Sequence, residues 1–341
     1  MKTMRFAVVI SGLMFLAGPG HAQDPSFSQF FSSPLNINPA LTANINADWR
    51  AISNYRDQWI GPASPYATGT ISYDTKILQN KIPNVHEEKN TLGIGTMLMY
   101  DKAMSGILQS SYASVNVSYN VVLAAGNTVH RVAAGFGTTY AKKWVDYSRL
   151  DWEEQWVGYA GFNTNLPSGE AALASMKGYF SVNAGLTYSI TSEKSNLDVG
   201  VAGFHLNQPK QTFLLDEHQR LAPRKVAHAN FETFINDGLV LNANGIYQYQ
   251  SEAKYYSFGA SLGYYLPANS NVILNAGLWY WSHNAIIPYV GFAYKDFQLG
   301  MSYDVTISKL RDASIKPKTF ELSLIIRGIK EPSAIIPCPW K

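Results

Sequence analysis

Between Trp49 and Ile326 the chain repeats one pattern about fourteen times: a run of roughly eight to twelve residues alternates apolar with small or polar side chains and ends in turn residues. In residues 297–307 one parity reads Phe297, Leu299, Met301, Tyr303, Val305, Ile307 and the other Gln298, Gly300, Ser302, Asp304, Thr306. Successive side chains of a strand point to opposite faces, so such a run has one greasy face and one polar face. Residues 110–121 repeat the arrangement, with Ser110, Tyr112, Ser114, Asn116, Ser118 and Asn120 on the polar parity and Ala113, Val115, Val117, Tyr119 and Val121 on the other. The apolar face suits lipid and the polar face a lumen. The fold expected is therefore all-β, a transmembrane antiparallel β-barrel of about fourteen strands.

Composition supports a membrane solvent. Hydrophobic residues make up 46% of the chain and charged residues 15%, against roughly 25% charged in a soluble domain. The 21 Tyr, 8 Trp and 16 Phe suit the aromatic girdles of a barrel better than the core of a soluble all-β protein. Lys2 and Arg5 precede an apolar stretch at 6–17, and Gly20 and Ala22 flank His21 before Gln23, the pattern of a cleavable secretory signal over residues 1–22. No window of about eighteen uninterrupted apolar residues follows it, so spanning by helices is not expected. An exported chain of this kind is expected in the cell outer membrane, where a closed barrel satisfies every backbone hydrogen bond.

The formal net charge of +3 falls to +1 once Lys2 and Arg5 leave with the signal, which gives no general attraction to nucleic acid. Cys338 is the single cysteine and has no internal disulfide partner.

The expected organisation is a signal peptide at 1–22, an N-terminal plug or periplasmic arm at 23–48, the barrel at 49–326 and a tail at 327–341. The connections give the barrel a direction, because outer-membrane barrels have short periplasmic turns, long external loops and periplasmic termini. Counted from the first strand, the even connections at 124–127, 191–196, 236–238, 267–270 and 295–296 are short, and the odd ones include the long segments 142–178 and 207–223. Segment 74–90 breaks the rule: it is long yet falls on the periplasmic side, so it is either a periplasmic contact element or a sign that the strand register is off by one. In 23–48, Phe27, Phe30, Phe31 and Leu35 need shelter from water, and the lumen is the nearest.

No constellation selects a reaction. Asp151, Glu153 and Glu154 fit no calcium loop; Asp216, Glu217 and His218 do not converge as metal ligands without further context. His205 and His228 flank one connection and could face each other across a hairpin. Ser257, Ser261 and His283 could form a barrel hydrolase pair, but nothing singles them out, and neither a Gly-x-Ser-x-Gly elbow nor a phosphate loop occurs. The chain is not expected to be an enzyme, and no catalytic, metal or cofactor site is expected.

The block QDPSFSQFFSSPLNINPALTA from Gln23 and RAISNYRDQW from Arg50 resemble the PorP/SprF family of outer-membrane proteins of the type IX secretion and gliding machinery of the Bacteroidetes. The residues that carry the likeness are Asp24, Pro25, Phe27, Ser28, Gln29, Phe30, Pro34, Asn38, Pro39, Ala40, Tyr55, Arg56, Gln58 and Trp59; YFSVNAGLTY, FHLNQPKQTF, SYDVTISKLRDAS and FELSLIIR follow in order. The chain departs from the family pattern at Lys316–Pro317–Lys318 and at Trp340–Lys341. The resemblance implies a fourteen-stranded barrel of the fatty-acid-channel kind without enzymatic activity. It also implies partners: secreted cargo or adhesins carrying a C-terminal sorting domain, and periplasmic secretion or motor components. Outer-loop aromatics have the composition of an interface core, so Trp144, Tyr147, Trp152, Trp156, Tyr159 and Phe162, with Phe213 on the neighbouring loop, are the candidate cargo-binding residues. The rival reading is a transport channel for a hydrophobic or small solute.

Overall fold

The computed structural model describes residues 24–61, 65–78, 89–167, 177–211, 220–267, 269–312 and 315–328. Its strands are β1 (Trp49–Ile60), β2 (Tyr66–Lys76), β3 (Thr91–Ala103), β4 (Leu108–Ala124), β5 (Thr128–Val145), β6 (Tyr179–Ser192) and β7 (Ser195–Phe204). The second half comprises β8 (Arg224–Asn236), β9 (Leu239–Gln250), β10 (Ala253–Leu266), β11 (Asn269–Trp281), β12 (Ala285–Tyr294), β13 in two pieces (Phe297–Tyr303 and Val305–Thr306) and β14 (Lys318–Gly328). Each pairs antiparallel with its chain neighbours, and β1 closes the ring on β14 from Trp49 opposite Gly328 to Ile60 opposite Lys318. Closure leaves no strand edge, the condition for a sheet to stand in hydrocarbon. Among the described residues no helix is long and apolar enough to cross a membrane.

The two parities read from the sequence are the two sides of the wall. On β13 Met301 is 51% exposed and Ser302 2%; on β4 Ser114, Asn116 and Ser118 are buried while Val115, Val117 and Tyr119 face out. On these strands the polar face is the inner one, the reverse of a water-soluble barrel, whereas β11 and β12 turn Trp279, Trp281, Ile287 and Tyr289 inward to meet the apolar residues of the N-terminal segment. Met301 lies midway along its strand on the apolar face, so Met301→Arg should lower folding stability in lipid by about 2–4 kcal/mol; urea titration of the barrel in vesicles reads this directly, and an unchanged midpoint would contradict a lipid-facing wall here.

Both chain ends of the barrel lie at one rim, the turn end, with the tight connections 125–127, 193–194, 237–238 and 295–296. The opposite rim, the loop end, carries the long connections 146–178, 205–223 and 307–317 along with some short ones. The segment joining β2 to β3 sits at the turn end, with both strands in continuous register against their neighbours, so the strand count is not off by one. Residues 79–88 of that segment lie outside the described residues.

Two sequence expectations are corrected. The strand expected over 297–307 is interrupted at Asp304, whose buried side chain turns into the lumen, where a cation on β1 holds it. The first long loop begins at 146 rather than 142, because β5 stays paired with β4 through Ser111 opposite Lys142 and Gln109 opposite Trp144. Trp144 is therefore a strand residue. Near the rim a strand no longer needs an uninterrupted apolar face, so the alternation that marks it in the sequence fades before the hydrogen bonding does.

Candidate functional site

The lumen is filled by residues 24–48. Asp48 lies at the turn end, where its N–H donates to Gly328 O at 2.9 Å, and Asp24 lies at the loop end, where its N–H donates to Gln250 Oε1 at 3.0 Å. Between them the chain makes three short helical turns, Phe30–Ser32, Pro34–Ile37 and Pro39–Leu41. Pro34 and Pro39 each occupy a first helical position, where the missing N–H costs nothing, and Asn38 caps the last turn by accepting from Ala40 N. Phe27, Phe30, Phe31, Leu35, Ile37 and Ile45 are buried. Phe31 packs on Trp279 with ring centroids 4.7 Å apart and on Tyr289 at 5.7 Å.

Charged groups on the lumenal parity grip this segment at three heights. Near the turn end Arg50 donates two bonds to Asp74, at 2.7 and 3.0 Å, and Ala43 N donates to the same carboxylate at 2.7 Å. In the middle, Arg56 on β1 reaches Asp304 at 2.9 Å and Glu321 at 3.6 Å. Glu321 in turn accepts from Ser28 N at 2.7 Å and Gln29 N at 3.0 Å, and Asp304 from Ser28 Oγ at 2.8 Å. Gln29 completes this centre by donating to Ser302 Oγ and Glu321 O and accepting from Ser323 Oγ. At the loop end Asp24 meets His205 Nε2 at 2.7 Å and Arg224 at 3.1 Å. Burial raises the Asp24 carboxyl, but His205 and the Arg224 guanidinium overcome it and hold the group well below the usual carboxylate range. Asp24 is thus ionised at any neutral or mildly acidic pH.

Asn38 and Pro39 rest on a seat built for them. Gly135 and Gly185 face each other across β5 and β6. A Cβ at Gly135 would come within 2.2 Å of Ala40 N, and one at Gly185 within 2.0 Å of Asn38 Oδ1. Asn38 Nδ2 donates to Leu186 O at 3.1 Å and Val201 O at 3.2 Å, so the amide recognises the wall's own backbone.

Above Asp24, at the loop end, a cavity of about 880 Å³ opens. It is lined by Asp24, Pro25, Ser26, Gln58, Trp59, Tyr66, Asp101, Lys143, Lys254, Tyr255 and Trp281, among others. The start of the N-terminal segment is its floor.

The structure sorts the residues singled out in the sequence. Phe27, Gln29, Phe30, Asn38, Pro39 and Arg56 meet in the lumen, whereas Pro25, Gln58 and Trp59 line the mouth. Tyr55 neighbours Arg56 in sequence but is 43% exposed on the lipid side, as alternation requires. Of the loop aromatics, Trp156 and Phe162 form an edge-on pair at 4.8 Å, Tyr147 and Trp152 a tilted one at 6.3 Å, and Tyr159 stands fully in solvent. Trp144 packs on Tyr100 of β3, centroids 6.1 Å apart. Phe213 and the 216–218 cluster lie outside the described residues, as do the expected signal and Cys338. His205 and His228 do not pair: the first takes Asp24 and Ser181, the second reaches Asn38 at 3.1 Å.

The type IX secretion system membrane protein family PorP/SprF matches over residues 20–326. The chain belongs to this family. The match spans both the N-terminal segment and the barrel that encloses it. No curated protein matches. Among solved structures, this PorP/SprF barrel is similar to the CymD monoaromatic hydrocarbon channel, at 11% identity and a TM-score of 0.49 over 93% of this chain and 96% of that one. It is also similar to the Pseudomonas putida toluene transporter TodX, at 12% identity and 0.46 over 90% and 94%, and to a Pseudomonas aeruginosa FadL homologue, at 12% and 0.44 over 84% and 91%. The residues that sequence reasoning did not join into a connected set are Asp74, Asp304, Glu321, His205 and Arg224. Their signal was an ionisable side chain on the lumenal parity of a strand or at its end, a place where charge needs a partner.

Proposed function

We propose that this PorP/SprF protein is a closed barrel of the outer membrane that retains secreted cargo carrying a C-terminal sorting domain at its loop end, facing outward, and engages periplasmic machinery at its turn end. The observation that carries the reading is the occupied lumen: residues 24–48 run from one rim to the other, hydrogen-bonded to the carboxylates of two buried ion pairs of the wall and paired through Asp24 with Arg224 at the loop end. A lumen so filled does not suit passive conduction. It does suit a rigid platform whose loops and mouth are the variable recognition surface. The exposed aromatics Trp156, Tyr159 and Phe162, on the connection at the same rim as the 880 Å³ mouth, are the groups from which interface cores are built. The paired turn-end rim leaves segment 77–90 as the candidate periplasmic contact.

Deleting 146–178 should abolish retention of cargo at the cell surface while the barrel still runs as a folded, heat-modifiable band; cargo retained at the parental level would sink the assignment of these loops. Purified protein in a planar bilayer should be silent. Steady conductance saturable by a hydrophobic or small solute would instead favour the transport channel.

A further inference from the structure

A hollow on the outside of the wall belongs to neither the lumen nor the loops. Its volume is about 550 Å³, within the range of sites that hold a drug-sized ligand, and it lies on β1 to β5 toward the loop end. Two registers cross it. The upper reads Tyr55, Gly69, Tyr100, Ser111, Lys142, and the lower Ser53, Ile71, Leu98, Ala113, Tyr140. Leu98 and Tyr100 make a ridge along β3. Troughs run on either side of it, one over Ser53 and Gly69, the other over Ser111 and Ala113. The paired backbone beneath is continuous, so the hollow is a surface feature of a sealed wall rather than an opening into the barrel.

Chemistry changes abruptly at its upper end. Lys102 lies over the Tyr100 ring at 5.3 Å, Lys142 lines the second trough, and both are exposed on the outer face. Tyr100 donates its hydroxyl proton to Gln109, whose amide donates to Gly106 O at 2.8 Å, and Trp144 packs beside them. Aromatic rings with amphipathic edges mark the level of lipid headgroups, and two ammonium groups at that level call for an anion. Asp57 shares the row of Lys102 but stands two strands away, about 10 Å at the usual strand spacing.

We propose that this hollow is a binding site for one phosphorylated, sugar-bearing acyl lipid of the leaflet at the loop end. Its chains lie in the two troughs across the Leu98–Tyr100 ridge, Lys102 and Lys142 hold the phosphate, and the Trp144 and Tyr100 rings face the sugar. The leaflet named rests on the loop end being outward; the site itself does not depend on cargo binding. Because it is read on the purified barrel, a failure of the loop deletion to release cargo leaves it standing, and the reverse.

Gly69 provides a clean probe. A Cβ there meets nothing nearer than Asn54 O at 3.9 Å, so Gly69→Leu fills the first trough without crowding the wall. The full-length barrel, exchanged into detergent with a phosphorylated glycolipid, phosphatidylglycerol or neutral diacylglycerol, would be weighed intact by native mass spectrometry. Wild type should retain one glycolipid. Lys102→Gln with Lys142→Gln should weaken retention by about thirtyfold, as expected for losing two cationic contacts to an anionic headgroup, and Gly69→Leu should weaken it at least about tenfold while both variants keep heat-modifiable migration. Equal retention of neutral lipid or phosphatidylglycerol, an unchanged affinity in the double variant, or a protein occupying the hollow would each overturn the proposal.

Discussion

Replacing Arg56 by alanine should destabilise the barrel by about 3–5 kcal/mol, the cost of leaving buried charge without its partner. The side chains of Arg56, Asp304 and Glu321 are 2%, 4% and 0% exposed, so water cannot substitute for the guanidinium. The same group donates to Ser26 O at 3.2 Å and lies over Trp281, 4.9 Å from the ring centroid; truncation removes packing as well as charge. The loss should be felt by the N-terminal segment first, because both carboxylates released from Arg56 also hold Ser28 and Gln29. Urea titration in vesicles measures the stability, and amide exchange over residues 24–33 measures the segment. Arg56→Lys should recover part of the loss, since one ammonium cannot serve two carboxylates and a carbonyl in the geometry of a fork. Arg56→Met combined with Asp304→Asn and Glu321→Gln should come close to wild type in stability, because a wholly neutral centre carries no uncompensated charge. A single Arg56→Ala variant as stable as wild type, with unchanged exchange, would show that this centre holds nothing together.

The same centre shows how far the sequence can be read. The thirteenth strand is expected from Phe297 and the first from Trp49, where each starts, because alternation over a lipid-facing wall is a local signal that each residue carries with its neighbours. Arg56 and Asp304 are separated by 248 residues, and no periodicity ties one to the other. Parity alone would have put both in the lumen, and with Glu321, Arg50 and Asp74 on that parity too, a set of compensating charges was there to be noticed. That Arg56 meets Asp304 and Glu321 depends on closure of β1 against β14, a tertiary fact. The N-terminal segment was harder still: it has no strand period, and its three turns take their shape from the wall. Its need for apolar shelter was legible from Phe27, Phe30, Phe31 and Leu35; its path from rim to rim was not. The loop aromatics were read from composition alone, and composition does not distinguish Trp144, which stays in β5, from Trp156 and Phe162, which pair out in the loop.

The seat formed by Gly135 and Gly185 allows that path to be broken without touching a charge. A side chain at Gly135 would meet backbone, Ala40 N at 2.2 Å and Pro39 C at 2.3 Å, and backbone cannot swing aside as a flexible side-chain tip can. Gly135→Val must therefore lift Asn38–Pro39–Ala40 off the wall, and Asn38 then loses its bonds to Leu186 O and Val201 O. Overpacking of this kind costs about 1–3 kcal/mol or more, and that cost falls on the seating of the segment, since the β5–β6 ladder itself runs through unbroken register. The expected result is a folded, heat-modifiable barrel whose residues 24–45 become open to protease and whose lumen conducts in a planar bilayer, where wild type is silent. Gly69→Val is the matched control: the same substitution on the outer face, with 3.9 Å of room, should leave the bilayer silent and the segment protected. If Gly135→Val were equally silent and equally protected, the N-terminal segment would not owe its place to this seat, and the filled lumen would need another explanation than the fit between Asn38–Ala40 and the two facing glycines.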